Sequence, residues 1–125
     1  MDKHSNALNW FDIPVTNMER AKKFYETLFD IEMFVMEMSG NPMAFFPCGD
    51  DKVGGSLILD KELKPGKEGC TVYLNANPSI QKVIDKIEVA GGKVVVPKTQ
   101  ITPEIGFVAY FIDCEGNKVG LHANQ

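Results

Sequence analysis

Two side chains in this 125-residue sequence are candidates for proton transfer, Asp12 near the start and His122 near the end. Asp12 stands two residues after Trp10 on a mostly apolar segment, and a carboxylate in such surroundings is a candidate general base. The imidazole of His122 is a candidate proton donor. Both also have a structural interpretation. Asp12 would then be an edge residue bonded to a backbone N–H or to Arg20, and His122 a solvated strand end.

Histidines and cysteines, which often bind metal ions or attack substrates, are few in this sequence. The second histidine, His4, lies in an N-terminal segment that we expect to fray. Cys48, Cys70 and Cys114 are an odd number of cysteines without Cys-x-x-Cys spacing, which predicts free thiols in a reducing cytoplasm. We expect each cysteine to be a small buried hydrophobic residue rather than a nucleophile.

The composition indicates one globular domain. The sequence is 44% hydrophobic and 24% charged, with a net charge of −4 and with acids and bases interleaved. It contains no Lys/Arg cluster, so a nucleic-acid partner is not expected. It contains no apolar run near the roughly 18 residues of a membrane span and no recognisable export signal. We therefore predict a cytoplasmic protein that does not interact with membranes.

Apolar periodicity divides the first half of the chain into a strand, a helix and three strands. The strands are predicted over residues 7–15, 31–38, 43–48 and 53–59. A helix is predicted over residues 17–30, because Thr16 and Glu19 have capping-box spacing and an apolar stripe follows them. Turn-forming residues at 39–42 and 49–51 separate the last three strands.

The same order of elements repeats after a polar linker at residues 60–68. Strands are predicted over residues 70–76, 93–96, 106–112 and 117–122. A helix is predicted over residues 78–90, with Asn77 as its N-cap and Gly91-Gly92 as its end. The chain is thus expected to be a single α+β domain, residues 1–125, made of two βαβββ units at about 7–60 and 69–122. One helix per unit leaves one sheet face open, so we expect the two units to bury these faces together.

Three segments of the chain resemble the vicinal-oxygen-chelate superfamily, which includes glyoxalase, bleomycin-resistance and dioxygenase proteins. Residues 9–17 with 20–25 are similar to the family's opening strand and helix, and residues 90–94 to the end of its second helix. Residues 111–119 resemble its final turn and last strand, with Cys114 in place of the usual proline. The resemblance covers nearly the whole chain. It implies two βαβββ repeats forming a curved mixed sheet around a cavity, with the helices outside.

The resemblance also locates the family's metal position. Enzymes of this superfamily hold a divalent metal with His, Gln or Glu side chains, one each from the first, fourth, fifth and last strands. The corresponding positions here are Trp10, a residue within 56–58, Thr71 and Gly120. None of these is an ordinary ligand for a divalent metal in this setting. We therefore predict no bound metal and no other cofactor.

The cavity implied by the resemblance sets the functional hypotheses. If Trp10 faces the cavity, strand alternation turns Asp12 inward too, and the fifth and last strands add further side chains. The residues expected to bind a ligand are Trp10, Asp12, Thr71, Tyr73, Asn75 and His122. An apolar body with a few polar groups suits such a lining.

The leading hypothesis is a homodimeric superfamily member that binds a small organic molecule without a metal. One alternative is a lyase, isomerase or dioxygenase-type enzyme with unconventional metal ligands such as Asp12 and His122. A third is a protein-interaction module with a vestigial cavity. Whether the protein is an enzyme stays open at this point.

Overall fold

A computed structural model describes residues 1–38 and 40–125. Ser39, the first residue of the turn predicted at 39–42, lies outside the described residues. The first unit contains β1 (Trp10–Pro14), α1 (Met18–Phe29), β2 (Phe34–Met38), β3 (Asn41–Phe45) and β4 (Gly54–Ile58). The second contains β5 (Tyr73–Asn75), α2 (Ile80–Ala90), β6 (Lys93–Thr102), β7 (Gly106–Ile112) and β8 (Lys118–Ala123). The predicted α+β architecture of two βαβββ units is confirmed.

The strands form two four-stranded mixed sheets. The order is β1-β4-β3-β2 in the first sheet and β5-β8-β7-β6 in the second. In each, the first strand of the unit runs parallel to the last, and the remaining pairs are antiparallel. Within the described residues no strand of one sheet pairs with a strand of the other. Among the described residues the strands of the two sheets do not contact each other either, and Trp10 and Tyr73 remain 42% and 49% exposed, so the expected burial of the two open faces against each other does not occur within one chain.

One hydrophobic core joins the two units. The helices contact each other, and each covers one face of its own sheet. The α1 residues Phe24 and Tyr25 also reach the second sheet, where their rings lie 6.0 and 6.5 Å from the ring of Phe111. Burying such large aromatic side chains is among the strongest stabilising contributions in a small core. In the described part of the chain, neither helix has the length and apolar character that a membrane crossing needs.

The helix starts differ from the predicted ones by one or two residues. The N-cap of α1 is Asn17, whose side chain accepts a 3.0 Å hydrogen bond from the Arg20 amide. Thr16 is not the cap, and its hydroxyl and amide donate to Glu115 instead. The N-cap of α2 is Ser79 rather than Asn77, whose side-chain oxygen accepts from the Asn124 amide at 2.8 Å.

Most strand boundaries also differ from prediction, with β3 and β6 as the clearest cases, while β7 and the end of α2 agree with it. Gly91 ends the helix in the left-handed conformation, at a φ of 109°, which glycine adopts readily. Strand β6 continues past Pro97 to Thr102 because it lies at the edge of its sheet, where a residue without an N–H is tolerated. Asn41 and Pro42, expected in a turn, begin β3.

Candidate functional site

The open face of the first sheet is defined by its strand register. Residues that lie opposite each other in paired strands share a face. Asp12 lies opposite Ser56, Ser56 opposite Phe45, and Phe45 opposite Phe34. Trp10 lies opposite Gly54, on the same face. The alternate residues Phe11, Ile13 and Val15 pack into the core. Trp10 and Asp12 therefore lie together on the face of β1 that is turned away from the core.

Asp12 is held by two side chains of this face. Its Oδ1 accepts a 2.7 Å hydrogen bond from the Ser56 hydroxyl and a 3.0 Å hydrogen bond from the Trp10 indole N–H. Ser56 is fully buried, so the first donor is rigidly placed. Bonding of Asp12 to Arg20, one of the expected alternatives, is wrong, because Arg20 pairs with Glu115. These two hydrogen bonds fix the orientation of the Asp12 carboxylate. Its second oxygen, Oδ2, does not accept from either side chain.

The open face of the second sheet carries two tyrosines. Tyr73 and Tyr110 both lie opposite Gly120, and their hydroxyl oxygens are 2.6 Å apart. A side chain at Gly120 would crowd this arrangement, because a Cβ there would lie 2.6 Å from Cδ1 of Tyr73. The hydrogen bond to Tyr110, and partial burial after it, raise the pKa of Tyr73. The Tyr73 phenol therefore stays neutral near pH 7 and can donate a hydrogen bond.

His122 and Asn75 lie opposite each other beside the tyrosines. The Nε2 atom of His122 is 2.7 Å from the carbonyl oxygen of Ile105. A carbonyl can only accept, so Nε2 carries a proton, and in the tautomer protonated at Nε2 alone the Nδ1 atom is an acceptor. The side-chain oxygen of Asn75 accepts from the backbone and side-chain nitrogens of Asn77, both at 2.9 Å. The Asn75 amide NH₂ is therefore the group left to donate.

These side chains line a cavity of about 460 Å³ on the open face of the second sheet. The cavity brings together three of the six predicted ligand-binding residues: Tyr73, Asn75 and His122. Trp10 and Asp12 lie on the first sheet instead, and Thr71 is exposed, precedes β5 and does not line the cavity. The remaining lining residues are Leu74, Asn77, Ile101, Val108 and Tyr110.

Sequence reasoning missed Tyr110 and Val108, although a signal for them exists. Both alternate with the buried residues Ala109 and Phe111 along β7. Strand alternation therefore places them on the same face as the last-strand residues that were predicted. No comparable signal exists for Ile101, because the register of β6 shifts three times along its pairing with β7.

The side chains at the family's metal position do not fit a divalent ion. Trp10 and Gly120 have no suitable donor, and Ser56 and Thr71 offer only neutral hydroxyls. Across residues 1–38 and 40–125, no three His, Cys, Asp or Glu side chains are grouped closely enough to hold a metal. Asp12 and His122, the unconventional ligands considered above, lie on different sheets. No metal-dependent step follows from this arrangement.

The three cysteines are free, but their burial differs from the prediction. Cys48 and Cys70 are exposed, so the expectation that each cysteine is buried is wrong for both. They lie just outside the strands in which they were predicted, and the shorter observed strands do not carry them into the core. Cys114 is half-buried, and burial raises its pKa to about 11. Its thiol is protonated at neutral pH and is a poor nucleophile.

The paired βαβββ units, each with an open mixed sheet, define the structural class of this protein. Residues 7–121 match the sequence profile of the Glyoxalase/Bleomycin resistance protein/Dioxygenase superfamily, and the chain belongs to that superfamily. A glyoxylase-like domain-containing protein of Didymella fabae is 26% identical over 114 residues, which are 88% of each chain.

Solved structures show the same fold at lower identity. An E126Q mutant of the fosfomycin resistance protein FosX from Listeria monocytogenes, complexed with Mn(II) and 1S,2S-dihydroxypropylphosphonic acid, is 16% identical with a TM-score of 0.66. The match covers 97% of this chain and 92% of that one. A V278E mutant of glyoxalase I from Zea mays is 19% identical with a TM-score of 0.68, over 92% of this chain and 45% of that one.

Proposed function

We propose that this superfamily member binds a small organic molecule on the open faces of its sheets, without a metal. The observation that carries the proposal is the cavity of about 460 Å³ formed around Tyr73, Tyr110 and His122. Its volume lies in the range of roughly 300–1,000 Å³ that is usual for small-molecule sites. The cavity is open rather than filled, which favours ligand binding over an interaction module with a vestigial cavity.

The polar groups of the cavity favour a ligand with both an accepting oxygen and a donor. The tyrosine pair and the Asn75 amide can donate, and Nδ1 of His122 can accept. Val108, Ile101 and Leu74 supply apolar walls. An aromatic or aliphatic body with a carbonyl at one end and a hydroxyl at the other would satisfy these groups. Trp10, Asp12 and Thr71 remain candidates for contacts beyond this cavity.

A second copy of the chain is the proposed cover for the open faces. Phe34, Met36 and Met38 are exposed on the first sheet, as is Tyr73 on the second. Apolar surface of this kind usually marks an interaction site. One chain offers two such faces, so two chains related by a twofold axis can cover both. We propose a homodimer, and the free thiols favour a cytoplasmic location.

An enzyme of the lyase, isomerase or dioxygenase type is the less favoured alternative. It would require a metal held by Asp12 and His122, which lie on different sheets of one chain. Those two donors with water would bind such an ion weakly. Stoichiometric metal that survives dialysis, with activity lost to a chelator, would reverse this preference.

Titration with 4-hydroxyacetophenone, followed by NMR of the histidine side chains, tests the small-molecule proposal. The chain contains only two histidines, and the exposed His4 serves as an internal reference. The His122 ring signals should shift with saturation while those of His4 stay in place. Tyr110→Phe should weaken binding about three- to tenfold, because one hydrogen bond contributes about 1 kcal/mol. Thr27→Ala, which removes a hydroxyl from α1, should leave the affinity unchanged. Unmoved His122 signals at saturating probe would reject this cavity as the binding site.

A further inference from the structure

The open face of the first sheet carries one charge in apolar surroundings. Its members follow from the strand register and are Trp10, Asp12, Pro14, Phe34, Met36, Met38, Asn41, Met43, Phe45, Gly54, Ser56 and Ile58. Among these described strand residues, only Asp12 ionises. The other polar side chains are an amide and a hydroxyl. The rest of this face is rich in aromatic and methionine side chains. Solvation of a strand edge does not require a single carboxylate in such surroundings.

The Asp12 carboxylate is oriented, and its charge is not neutralised by a neighbour. Ser56 and Trp10 both donate to Oδ1 of Asp12, and neither donates to Oδ2. Among residues 1–38 and 40–125, no Lys, Arg or His nitrogen lies within 4.0 Å of the Asp12 oxygens. Oδ2 is therefore available to a donor that approaches the open face. Once this face is covered, the carboxylate needs a partner, because an unpaired charge is costly to bury.

Aromatic rings lie beside this carboxylate. The Trp10 indole, which donates to Asp12, packs edge-on against Phe45 with centroids 5.8 Å apart. Phe34 lies next to Phe45 in the same row and is 65% exposed. The faces of aromatic rings attract cations, Trp most strongly. A carboxylate combined with exposed aromatic rings is a suitable environment for an organic ammonium group.

The equivalent position of the second sheet has no such charge. On the first sheet, Trp10 lies opposite Gly54 and Asp12 follows Trp10 on the same face of the strand. On the second sheet, Tyr73 lies opposite Gly120 and Asn75 follows Tyr73 on the same face. The two units therefore share an aromatic residue opposite a glycine but differ in the neighbouring polar group, a carboxylate in one and an amide in the other. A ligand that contacts both faces would meet tyrosine and amide donors on the second sheet, with the Lys118 ammonium 5.1 Å from the Tyr110 ring, and a negative charge on the first.

We propose that the first sheet binds the protonated amine of an organic ligand, with Asp12 accepting from the ammonium and Trp10 contacting the carbon atoms beside it. This inference rests on the proposed small-molecule function and specifies its ligand as an organic cation. A metal ion is a poor occupant because Asp12 is the only carboxylate on this face. The overall charge of −4 also favours the approach of a cation.

Two probes of the same shape test the inference, 2-phenylethylammonium and the neutral 2-phenylethanol. Binding is followed by the fluorescence of Trp10, the only tryptophan in the chain. The ammonium probe should bind about tenfold more tightly than the alcohol, as a charge-assisted contact to a carboxylate predicts. Asp12→Asn should abolish that preference, because the amide carries no charge. Glu37→Gln removes one charge from β2 at a position alternate to Met36 and should keep the preference.

The outcomes separate this inference from the proposal on which it rests. Equal affinity for the two probes overturns the organic-cation inference but leaves small-molecule binding intact. Absence of any Trp10 response to either probe also overturns it, and the His122 signals then decide the proposed function separately. If Asp12→Asn does not fold, the unchanged protein is tested instead by measuring the binding of both probes at increasing sodium chloride concentration. Added salt should weaken binding of the ammonium and not of the alcohol. Loss of the dimer with Asp12→Asn, without change in amine affinity, would assign the carboxylate to a contact between chains.

Discussion

The carboxylate of Glu115 shows how one residue joins distant parts of the chain. It accepts five hydrogen bonds, from the amide and hydroxyl of Thr16, the amide of Asn17 and two nitrogens of Arg20. Its side chain is fully enclosed, whereas the Arg20 side chain is half-exposed. Burial alone would raise the pKa of Glu115, but the hydrogen bonds from Arg20 and the two amides outweigh it. The pKa is therefore lower than usual.

Acid should weaken the protein through Glu115. Because its folded-state pKa lies below the ordinary 4.5, the ionised carboxylate stabilises the fold above that pH. This contribution is lost as the pH falls from about 4.5 through the folded-state pKa. Glu115→Gln should lower the free energy of unfolding at neutral pH by about 2 kcal/mol and flatten its acid dependence. Urea unfolding at several pH values measures both effects.

Glu62→Gln is the matched control for this acid effect, because Glu62 is an exposed residue of the linker. It should leave the pH dependence unchanged. An unchanged acid slope in Glu115→Gln would show that other carboxylates cause the acid sensitivity. The sequence predicted that Glu115 lies in the final turn, but it did not predict which residues bond to its carboxylate. They lie 95 to 99 residues away, and local spacing carries no information about them.

At the scale of elements, the two sheets repeat one arrangement of an aromatic side chain over a glycine. Trp10 lies opposite Gly54 and Tyr73 opposite Gly120, and in both places a Cβ on the glycine would crowd the ring. The glycines are therefore needed for space beside the ring. This arrangement keeps the aromatic residues close to the sheet and sets the floor of the cavity on the second sheet.

Gly120→Ala should displace Tyr73 and separate it from Tyr110. The hydrogen bond between them is the main cause of the raised pKa of Tyr73, so this pKa should fall toward its ordinary value. The free energy of unfolding should drop by only about 1 kcal/mol, because the half-exposed ring can rotate outward. Alkaline titration of tyrosine absorbance measures the pKa, and chemical denaturation measures the stability.

Gly66→Ala is the control for this substitution, since a Cβ at Gly66 would have no atom within 4 Å. It should change neither quantity. A Tyr73 pKa that stays high in Gly120→Ala would mean that the ring pair does not depend on this close approach.

Local patterns predicted the elements of this fold better than their ends. The periodic apolar stripes located both helices to within two residues at each end, because the same residues pack into the core. The true N-caps and the length of β6 depended on tertiary partners and on position within the sheet. The grouping of site residues was harder still. The sequence could assign Trp10 and Tyr73 to open faces but not to two separate sheets.

For the whole molecule, the exposed apolar faces of the two sheets are the feature that most needs a partner. A specific dimer interface buries about 1,200 Å² or more, which the combined open faces of two chains could provide. The opposite faces of both sheets already pack on the helices. Assembly through the helices would leave the exposed Trp10, Phe34 and Tyr73 in water.

Met36→Glu should therefore prevent dimer formation. Met36 is 45% exposed at the centre of β2, and burying a new carboxylate in an apolar contact is unfavourable. Light scattering should give twice the 13.9 kDa chain mass for the unchanged protein and a single chain mass for the variant. Val89→Glu introduces the same charge on α2, at a residue that is 87% exposed, and should stay dimeric. A monomer in both the unchanged protein and the control would refute the dimer.

The contacts between residues 113–117 and the start of α1 have a consequence during synthesis on the ribosome. Asp113 accepts from Tyr25, Asn117 donates to the Pro14 carbonyl, and Glu115 accepts from Thr16 and Asn17. The residues that complete the start of the first unit are therefore translated up to 99 residues after the segment that they contact. A nascent chain that has exposed only its first unit lacks the hydrogen bonds that residues 115 and 117 make to the start of α1. Contacts this distant in sequence also slow folding in general. A premature stop before residue 113 would consequently damage the beginning of the chain as much as its end.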